Sequence, residues 1–559
     1  MILAALTIAQ GQARTPQTEE CFERVYVSTD RSDYISGERI WCSAFCFDAQ
    51  GGRGLSDYSA VAYLQLLSER GNEATAKIAL EGGRGGGYLD IPENLPSGKY
   101  SLVAYTALNK NEEGYDFLKG AKTISVFNVL SNDRVKGTLE ICSEDSFKPV
   151  RGYVSSGVLE VQHAVLADCS DANGILLQNK SGRAASFSVS VWHDDELVET
   201  LPDGICSFDR GGAPGRYTRN VVPEYDGEII YASITGPDKD LIYSPDNYVT
   251  TYISSIGCPN DIYTTLIGRD RQLLIKTYNI YGNKDIVCEV DGEAEELDAH
   301  IELNSPFLDL KGRGNGKLRL HKGMEKRLLE RGRAMMSAKR DNRTDTIPEL
   351  LPRKEQILLR DDACRCFELD DYTRFPTMEE VLVEIIPIVR ARKQKGRSTI
   401  QVYSESAFSA QPLWGKALVL LDGVPIFDHQ KLMEYDAMMI KRVKVWPKPT
   451  VIGNNFYEGV VNFETSSGHI SYMDFSRNVR IVDFQGVSFP ESRTLRHNRK
   501  SRQDLRQTIY WHPLQEIGVG ESIRLDCLTP DYPGTFRLVI EGVLDDGTPF
   551  SEHSSFRVD

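Results

Sequence analysis

The chain has 559 residues, of which 41% are hydrophobic, and it carries a formal net charge of −15. At about 150 residues per domain, this length predicts about four domains, each large enough to bury a core of its own. The acidic balance argues against binding to the phosphate backbone of nucleic acids, because that binding needs a concentrated cationic surface.

The first segment, residues 1–19, begins with a short apolar run that ends in small residues, MILAALTIAQGQA. This pattern is typical of the end of a secretory signal peptide whose charged start is missing. A frayed N-terminal strand or a disordered segment is the alternative. No other window approaches 18 consecutive apolar residues, so we expect an exported protein without a transmembrane segment of its own.

Residues 20–130 alternate between apolar and polar positions, and the runs break at Gly, Pro, Asn and Asp about every 8 to 12 residues, which predicts a β-sandwich. A glycine two residues before an aromatic recurs at Gly98, Gly215 and Gly534, each time before a predicted strand. This recurrence indicates related sandwich modules. Chance is the alternative, since glycine turns before strands are common.

The same segment contains the phrases YVSTDRSDYISGERIWCSAFCFDA and LPSGKYSLVAYT, which resemble the macroglobulin-type domains of α2-macroglobulin relatives. Strand patterns predict a second sandwich over residues 131–222, a third over residues 223–310 and closing sandwich strands over residues 491–559. We therefore expect a mainly β protein built from tandem Ig-like or macroglobulin-type β-sandwiches.

Residues 311–365 are strongly basic and helical in pattern, which predicts a solvated helical linker. A patch for nucleic acid or lipid headgroups is the alternative interpretation. The part from Lys326 to Arg360 is rich in basic cleavage sites, so it is the candidate for an exposed bait segment if the protein captures proteases.

Residues 366–490 predict a small α+β module. Pro376 and Thr377 enter a short amphipathic helix with acidic residues in its first turn, and a second helix is expected over residues 429–435. Between them, Asp422, Gly423, Val424 and Pro425 predict a tight turn whose exit is fixed by proline.

This block, ALVLLDGVPIFDHQKLMEYDAMMIKRVKVWPKPTVIGNNFYEGVVNFET, resembles the plug domain of TonB-dependent outer-membrane receptors. The resemblance implies that the Asp422–Pro425 phrase determines the fold, with a ligand contact as the alternative, and that Gly453 and Gly459 occupy glycine positions of the family's "YG..G..GVI" phrase. An N-terminal energy-coupling box is not recognisable, which puts active transport in doubt. The residues after Thr465 are too few for a closed membrane barrel.

No pattern of catalytic residues is evident. The sequence has no G-x-S-x-G, H-E-x-x-H or G-x-x-x-x-G-K-[ST] phrase and lacks the Cys-Gly-Glu-Gln thioester phrase of covalently trapping macroglobulins. Gly82–Gly87 predicts a flexible turn, and Trp192–Glu196 predicts a solvated hairpin turn rather than a metal contact. Cys42 and Cys46 lie too far apart along a strand for a disulfide. We expect no catalytic residue, cofactor or metal site.

The order of modules resembles large Bacteroidetes envelope proteins with macroglobulin-like and plug-like domains. It implies a non-enzymatic binding or scaffold protein in the periplasm or at the outer membrane, accessory to a transport or assembly system. Its expected partners are an outer-membrane or periplasmic protein and a polypeptide or glycan. The alternative function is protease capture without a thioester.

Overall fold

The structure is a computed structural model, and its described residues lie in these ranges: 22–49, 54–131, 135, 137–150, 154–169, 172–211, 216–218, 221–242, 249–267, 272–290, 298–312, 316–340, 349–353, 358–394, 397–403, 417–468, 470, 473–492 and 504–559. The predicted signal remnant, residues 1–19, lies outside them. The expected fold class is confirmed, because the described residues are mainly β and form three β-sandwiches and one α+β module.

The first sandwich is built from one continuous segment. Its strands are β1 (Glu23–Thr29), β2 (Asp33–Ile35), β3 (Arg39–Asp48), β4 (Val61–Ser68), β5 (Gly71–Ala79), β6 (Arg84–Asp90), β7 (Gly98–Tyr105) and β8 (Lys122–Phe127). The sheet β1-β3-β6 faces the sheet β2-β8-β7-β4-β5 across an apolar core. Alternate residues of β3, including Cys42 and Cys46, lie in this core, and both are free thiols.

One expectation for this sandwich is wrong. Gly82–Gly87 was expected to be a flexible turn, but only Gly82 and Gly83 turn, with φ of 56° and 73°, while strand β6 begins at Arg84. A Cβ on Gly85 would lie 2.1 Å from the carbonyl oxygen of Ala79, so the glycines allow β5 to approach closely.

The next strands are β9 (Leu139–Ile141), β10 (Leu159–Gln162), β11 (Leu166–Ala167), β12 (Ala172–Asn179), β13 (Ala185–His193), β14 (Ile229–Thr235), β15 (Thr250–Ser255), β16 (Ile262–Leu266), β17 (Gln272–Lys276), β18 (Asn283–Val290) and β19 (His300–Leu303), with the short helix α1 (Lys239–Ile242) after β14. Of the three turn-and-aromatic phrases, those at Gly98 and Gly534 begin strands. At the third, the main chain of Tyr217 forms an isolated bridge with Glu112 instead of a strand.

The segment that follows contains β20 (Leu318–Leu320), helix α2 (Glu325–Arg340), β21 (Glu349–Leu350), β22 (Arg365–Glu368), helix α3 (Met378–Glu384), β23 (Val389–Gln394), β24 (Arg397–Val402), β25 (Leu418–Leu421), β26 (Val424–Pro425), helix α4 (His429–Met433), β27 (Ile440–Trp446), β28 (Thr450–Ile452), β29 (Asn455–Tyr457) and β30 (Val460–Thr465). The C-terminal strands are β31 (Val479–Gln485), β32 (Glu491–Ser492), β33 (Thr508–Ile517), β34 (Ser522–Leu528), β35 (Gly534–Leu544) and β36 (Pro549–Val558).

The second and third sandwiches are each assembled from two distant parts of the chain. In the second, β13 pairs with both β33 and β35, and β12 pairs with β34. In the third, β31 completes the sheet β16-β15-β18-β31, which packs on the sheet β17-β14-β19. The expected boundaries 131–222 and 491–559 are therefore corrected, because these segments share one sandwich and one core.

The α+β module, expected over residues 366–490, is formed by the described residues between 358 and 476, and it is inserted between β19 and β31 of the third sandwich. The expected boundary is corrected because β31 pairs with β18 and so belongs to that sandwich. Its mixed sheet has the order β22-β27-β30-β25-β26, with β25 parallel to β30. Helix α3 begins as expected, because Thr377 and Glu380 form a reciprocal capping box. The hairpins β23-β24 and β28-β29 complete the module.

Helix α2 is not the solvated linker that its basic composition predicts. Its Met335 and the preceding Met324 are buried against Ile35 and Phe127 of the first sandwich, and β20 pairs in parallel with β9. The positive charge on this face is neutralised: Arg331 is 4% exposed and forms ion pairs with Asp33 and Asp195.

Candidate functional site at the α+β module

The turn between β25 and β26 carries the predicted Asp422–Pro425 phrase. Asp422 is 3% exposed and has a positive φ of 47°, a conformation that Asp tolerates better than most residues. The main-chain N–H and the hydroxyl of Thr465 each donate to its carboxylate at 2.7 Å. The side chain thus ties the turn to the end of β30.

The same turn contacts the third sandwich. The N–H of Gly257 donates to the carbonyl oxygen of Asp422 at 2.6 Å. A Cβ on Gly423 would lie 2.9 Å from main-chain atoms of Cys258 and Pro259. Gly257 and Cys258 therefore form the surface that receives the turn.

The other motif residues also serve packing. Val424 is fully buried in a cluster with Val287 and Val479 of the third sandwich, and Pro425 is paired with Leu420 in the sheet. Gly459 allows the chain to pass Val402, whose side chain would lie 2.8 Å from an added Cβ.

Gly453 lies at the tip of the hairpin β28-β29, with φ of 58°. A Cβ there would lie 1.7 Å from the hydroxyl oxygen of Thr264 on β16. The hydroxyls of Tyr457 and Tyr252 are 3.0 Å apart, so the hairpin contacts the third sandwich through both its tip and its last strand. The structure brings Asp422, Gly423, Val424 and Gly453 to this interface, whereas Gly459 lies within the module.

The opposite face of this hairpin is exposed. Val451 and Phe456 are paired directly across the two strands, and they are 58% and 60% exposed. We call this pair the apolar hairpin face. Its neighbours Ile452 and Tyr457 are buried, as the alternation of side chains along a strand requires. A large exposed apolar pair held on a fixed hairpin is suited to contacting another macromolecule.

Sequence reasoning missed the buried polar groups that join the sandwiches. Glu541 on β35 accepts hydrogen bonds from Tyr26 at 2.7 Å and from Ser28 at 2.6 Å, both on β1 of the first sandwich. Lys77 of the first sandwich and Glu228, which precedes β14 of the third, form an ion pair at 2.6 Å and are almost completely buried. In the sequence these residues are single charged positions in or beside predicted strands, and such positions do not indicate which distant residue they contact.

Glu224 lies beside that ion pair. Tyr63 donates to its carboxylate at 2.8 Å, and the N–H of Ile229 donates at 2.9 Å. Burial raises the pKa of Glu224 to about 7, opposed by the nearby Lys110. A carboxyl group of this kind resembles a general acid, but its hydrogen bonds go to residues that join two sandwiches, so its geometry is that of a structural contact.

The Trp192–Glu196 turn is also structural. It is not solvated as expected, because Asp194 and Asp195 are buried, and Asp194 forms an ion pair with Arg537. Burial lowers the pKa of His193 and therefore favours the neutral imidazole. Within the described residues, no group of three or more His, Cys, Asp or Glu is arranged to hold a metal ion.

Among the helices of the described ranges, none is both long enough and apolar enough to cross a membrane.

No protein-family model matches the chain, and no curated protein sequence matches it. Solved structures to which it is similar include Salmonella alpha-2-macroglobulin reacted with methylamine, at 9% identity and a TM-score of 0.23, over 96% of this chain and 39% of that chain. Native Escherichia coli alpha-2-macroglobulin matches at 9% identity and a TM-score of 0.24, over 96% of this chain and 40% of that one.

The Escherichia coli adhesin FdeC matches over 49% of this chain and 62% of its own, at 11% identity and a TM-score of 0.15. The chain spans about two fifths of the length of the two macroglobulins. TM-scores this low do not establish a shared fold, so the assignment of β-sandwiches rests on the strand pairings of the chain itself.

Proposed function

We propose that this chain is a non-enzymatic binding or scaffold protein of the cell envelope, exported to the periplasm or the outer membrane. In this proposal the α+β module is a plug-like domain that docks on an outer-membrane or periplasmic protein, accessory to a transport or assembly system. The sandwiches then carry a polypeptide or glycan ligand. The resemblance of residues 417–465 to receptor plugs motivates the choice of partner.

The observation that carries the proposal is the apolar hairpin face. The Asp422 turn and the Gly453 tip fix the module to the third sandwich, and this leaves Val451 and Phe456 exposed on a hairpin that is held in place from behind. Fully burying an exposed Val or Phe side chain contributes about 1.5 to 3 kcal/mol, and because these two are 58% and 60% exposed, each would contribute about 1 to 2 kcal/mol at an interface. The face is therefore large enough to contribute to docking without any catalytic residue.

The test is co-purification from the detergent-solubilised envelope of the source cell. The double variant Val451→Ser, Phe456→Ser removes the apolar face but leaves the buried contacts of the hairpin. Val519→Ser, at an exposed turn of the second sandwich, is the matched control. We expect wild type and control to recover the same envelope protein and the double variant to lose it. Equal recovery by all three would refute docking through this face.

Protease capture without a thioester is the second candidate. It requires an exposed bait segment within Lys326–Arg360, but Arg331 and Met335 in this range are buried against the first sandwich. Residues 341–348 and 354–357 lie outside the described part. If this function is correct, limited trypsin digestion cuts first within residues 341–357 and changes the sedimentation coefficient of the rest. Cutting with an unchanged coefficient would count against it.

A further inference from the structure

A polar cleft of about 510 Å³ lies between the first sandwich, the loop 197–209 and strand β20. Its volume is within the range of about 300 to 1,000 Å³ typical of ligand sites. On the side of the first sandwich it is lined by Lys99, Thr123 and Ser125, and on the other side by the loop and Arg319. The contacts of the α+β module do not involve it.

The edge of a sheet opens into this cleft. Strand β2 pairs with β8 only at Ser125–Phe127, whereas β7 pairs with β8 from Lys122 to Val126 on the other side. The N–H of Ser125 donates to the carbonyl oxygen of Ser32, so the main-chain groups of Ser125 point toward the β2 side. Because these groups alternate along a strand, the N–H and C=O of Thr123 point to the same side, beyond the end of β2.

Two buried side chains at the inner end of the cleft carry polar atoms that have no hydrogen-bond partner among the described residues. One of them, Arg31, uses other atoms of its guanidinium in ion pairs with Asp30 at 3.5 Å and Glu38 at 3.0 Å. Ser32 is 6% exposed and Arg31 is 8% exposed, and neither the Ser32 hydroxyl nor the Arg31 Nη1 is paired. Ser32 lines the cleft, and Arg31 lines a smaller adjoining cavity of about 50 Å³ that shares Ser32 and Lys122 with it. Burying such groups without a partner is costly, so they favour a ligand that supplies an acceptor.

The acidic groups at this end are already satisfied. Asp30 accepts from Tyr34 at 2.7 Å and from Thr508 at 2.6 Å, and Glu541 accepts from Tyr26 and Ser28. The inner end therefore has unused donor atoms beside carboxylates that already accept hydrogen bonds. Lys99, at the entrance, adds a half-buried cation for which the structure shows no ion pair among the described residues.

From these observations we infer that the cleft binds an extended peptide segment that carries a carboxylate. The peptide adds a short strand beside Thr123, and its carboxylate accepts from Ser32 and Arg31 while Lys99 contributes positive charge. This mode combines the main-chain pairing of strand addition with a charge-assisted contact. The inference names the ligand that the sandwiches carry, and it rests on the proposed function for its biological role.

Fluorescence anisotropy tests the inference with the full chain and a labelled, C-terminally amidated peptide, Thr-Val-Thr-Val-Glu. The comparison peptides replace Glu by Gln or methylate the main-chain nitrogens, and hexagalacturonate serves as an acidic sugar. We expect the Glu peptide to bind and its Gln form to bind about tenfold more weakly, since hydrogen bonds to charged groups contribute that much. We also expect N-methylation to abolish binding and the peptide to slow deuterium uptake at residues 119–125.

The variants Ser32→Ala and Lys99→Ala should each weaken the Glu peptide severalfold to tenfold. Lys441→Ala, an exposed lysine on β27, should not change its affinity. Lys99→Ala alters a partly exposed side chain, so it remains informative if Ser32→Ala fails to fold. Equal affinity for the Glu and Gln peptides, unchanged binding in both cleft variants, or displacement of the peptide by hexagalacturonate at lower concentration would each overturn the inference. Loss of peptide binding with intact envelope co-purification would separate its failure from that of the proposed function.

Discussion

Asp422 connects three parts of the chain with one residue. Its carboxylate accepts from both donors of Thr465, and its carbonyl oxygen accepts from Gly257 of the third sandwich. The sequence indicated the turn, because Asp-Gly favours a tight turn and Pro425, two residues later, fixes the exit of the chain. It did not indicate the Thr465 contact or the docking surface, since the residues involved are distant in the chain.

Replacing Asp422 by Ala removes both acceptors and leaves Ala at a positive φ. We expect the free energy of opening around Thr465 to fall by about 2 to 4 kcal/mol, because a charged hydrogen-bond acceptor and a tolerated left-handed residue are both lost. Hydrogen exchange at residues 460–466 measures this local opening free energy. A global unfolding experiment would not, because a protein of several modules does not unfold in two states. Asp422→Asn is the control, because it keeps one acceptor oxygen and the tolerance of a positive φ, so it should lose less protection than Asp422→Ala. Unchanged protection in Asp422→Ala would contradict the role of the carboxylate.

The contact between the hairpin tip at Gly453 and the third sandwich can be tested by substitution. Gly453→Ala places a methyl group against the Thr264 hydroxyl at a left-handed position, so the hairpin tip should move off the third sandwich and Thr450–Tyr457 should exchange faster. Thr264→Ala in the same chain removes the clash but keeps the backbone strain. The double variant should therefore recover part of the protection. No recovery would mean that the tip does not contact β16.

Helix α2 shows that a local sequence pattern does not determine which side of a helix is buried. Its basic composition predicted a solvated helix, and residues such as Arg333 are indeed exposed. Arg331 has the same chemical character but is buried among Asp33, Asp195 and Glu38, on elements far away in the sequence. Sequence periodicity identifies the helix, but only the fold distinguishes the one arginine that docks it.

Arg331→Met leaves Asp33 and Asp195 buried without their cation. Breaking a buried ion pair in this way costs about 3 to 5 kcal/mol, so α2 should lose most of its protection from hydrogen exchange. Arg333→Met removes the same charge from the exposed face of the same helix and should have almost no effect. Similar behaviour of both variants would contradict the docking of α2 through Arg331.

The docking of α2 should also depend on pH. Burial raises the pKa of Asp195 to about 7, opposed by Arg331 and reinforced by Asp33 and Asp194. A raised carboxyl pKa means that the folded state holds a proton that the unfolded state releases near pH 4. Its contribution is therefore full below about pH 4 and is lost as the pH rises through 7. We expect the protection factor of α2, which is its exchange rate relative to the intrinsic rate at the same pH, to be larger at pH 5.5 than at pH 8, and Asp195→Asn to reduce this difference.

At the level of the whole molecule, the modules are inserted into one another along the chain. The segments 154–193 and 508–558 form the second sandwich, and the third sandwich lies between them in the sequence. The α+β module lies in turn between two strands of the third sandwich. Buried contacts such as Lys77 with Glu228 join the sandwiches. The sequence predicted the strands well, because alternation is local. It did not predict the nesting, since pairing such as Phe187 with Gly542 leaves no periodic signal. Fold prediction from sequence therefore succeeded for elements and failed for the closure of two sandwiches.

We propose that this body presents the α+β module to an envelope partner. The most direct measurement places a photo-crosslinking amino acid at position 456 in the source cell, with position 519 as the control, and identifies crosslinked proteins by mass spectrometry after fractionation. We expect an outer-membrane or periplasmic protein to be attached at position 456 and absent at position 519. Recovery in the cytoplasmic fraction, with no crosslink specific to position 456, would contradict it.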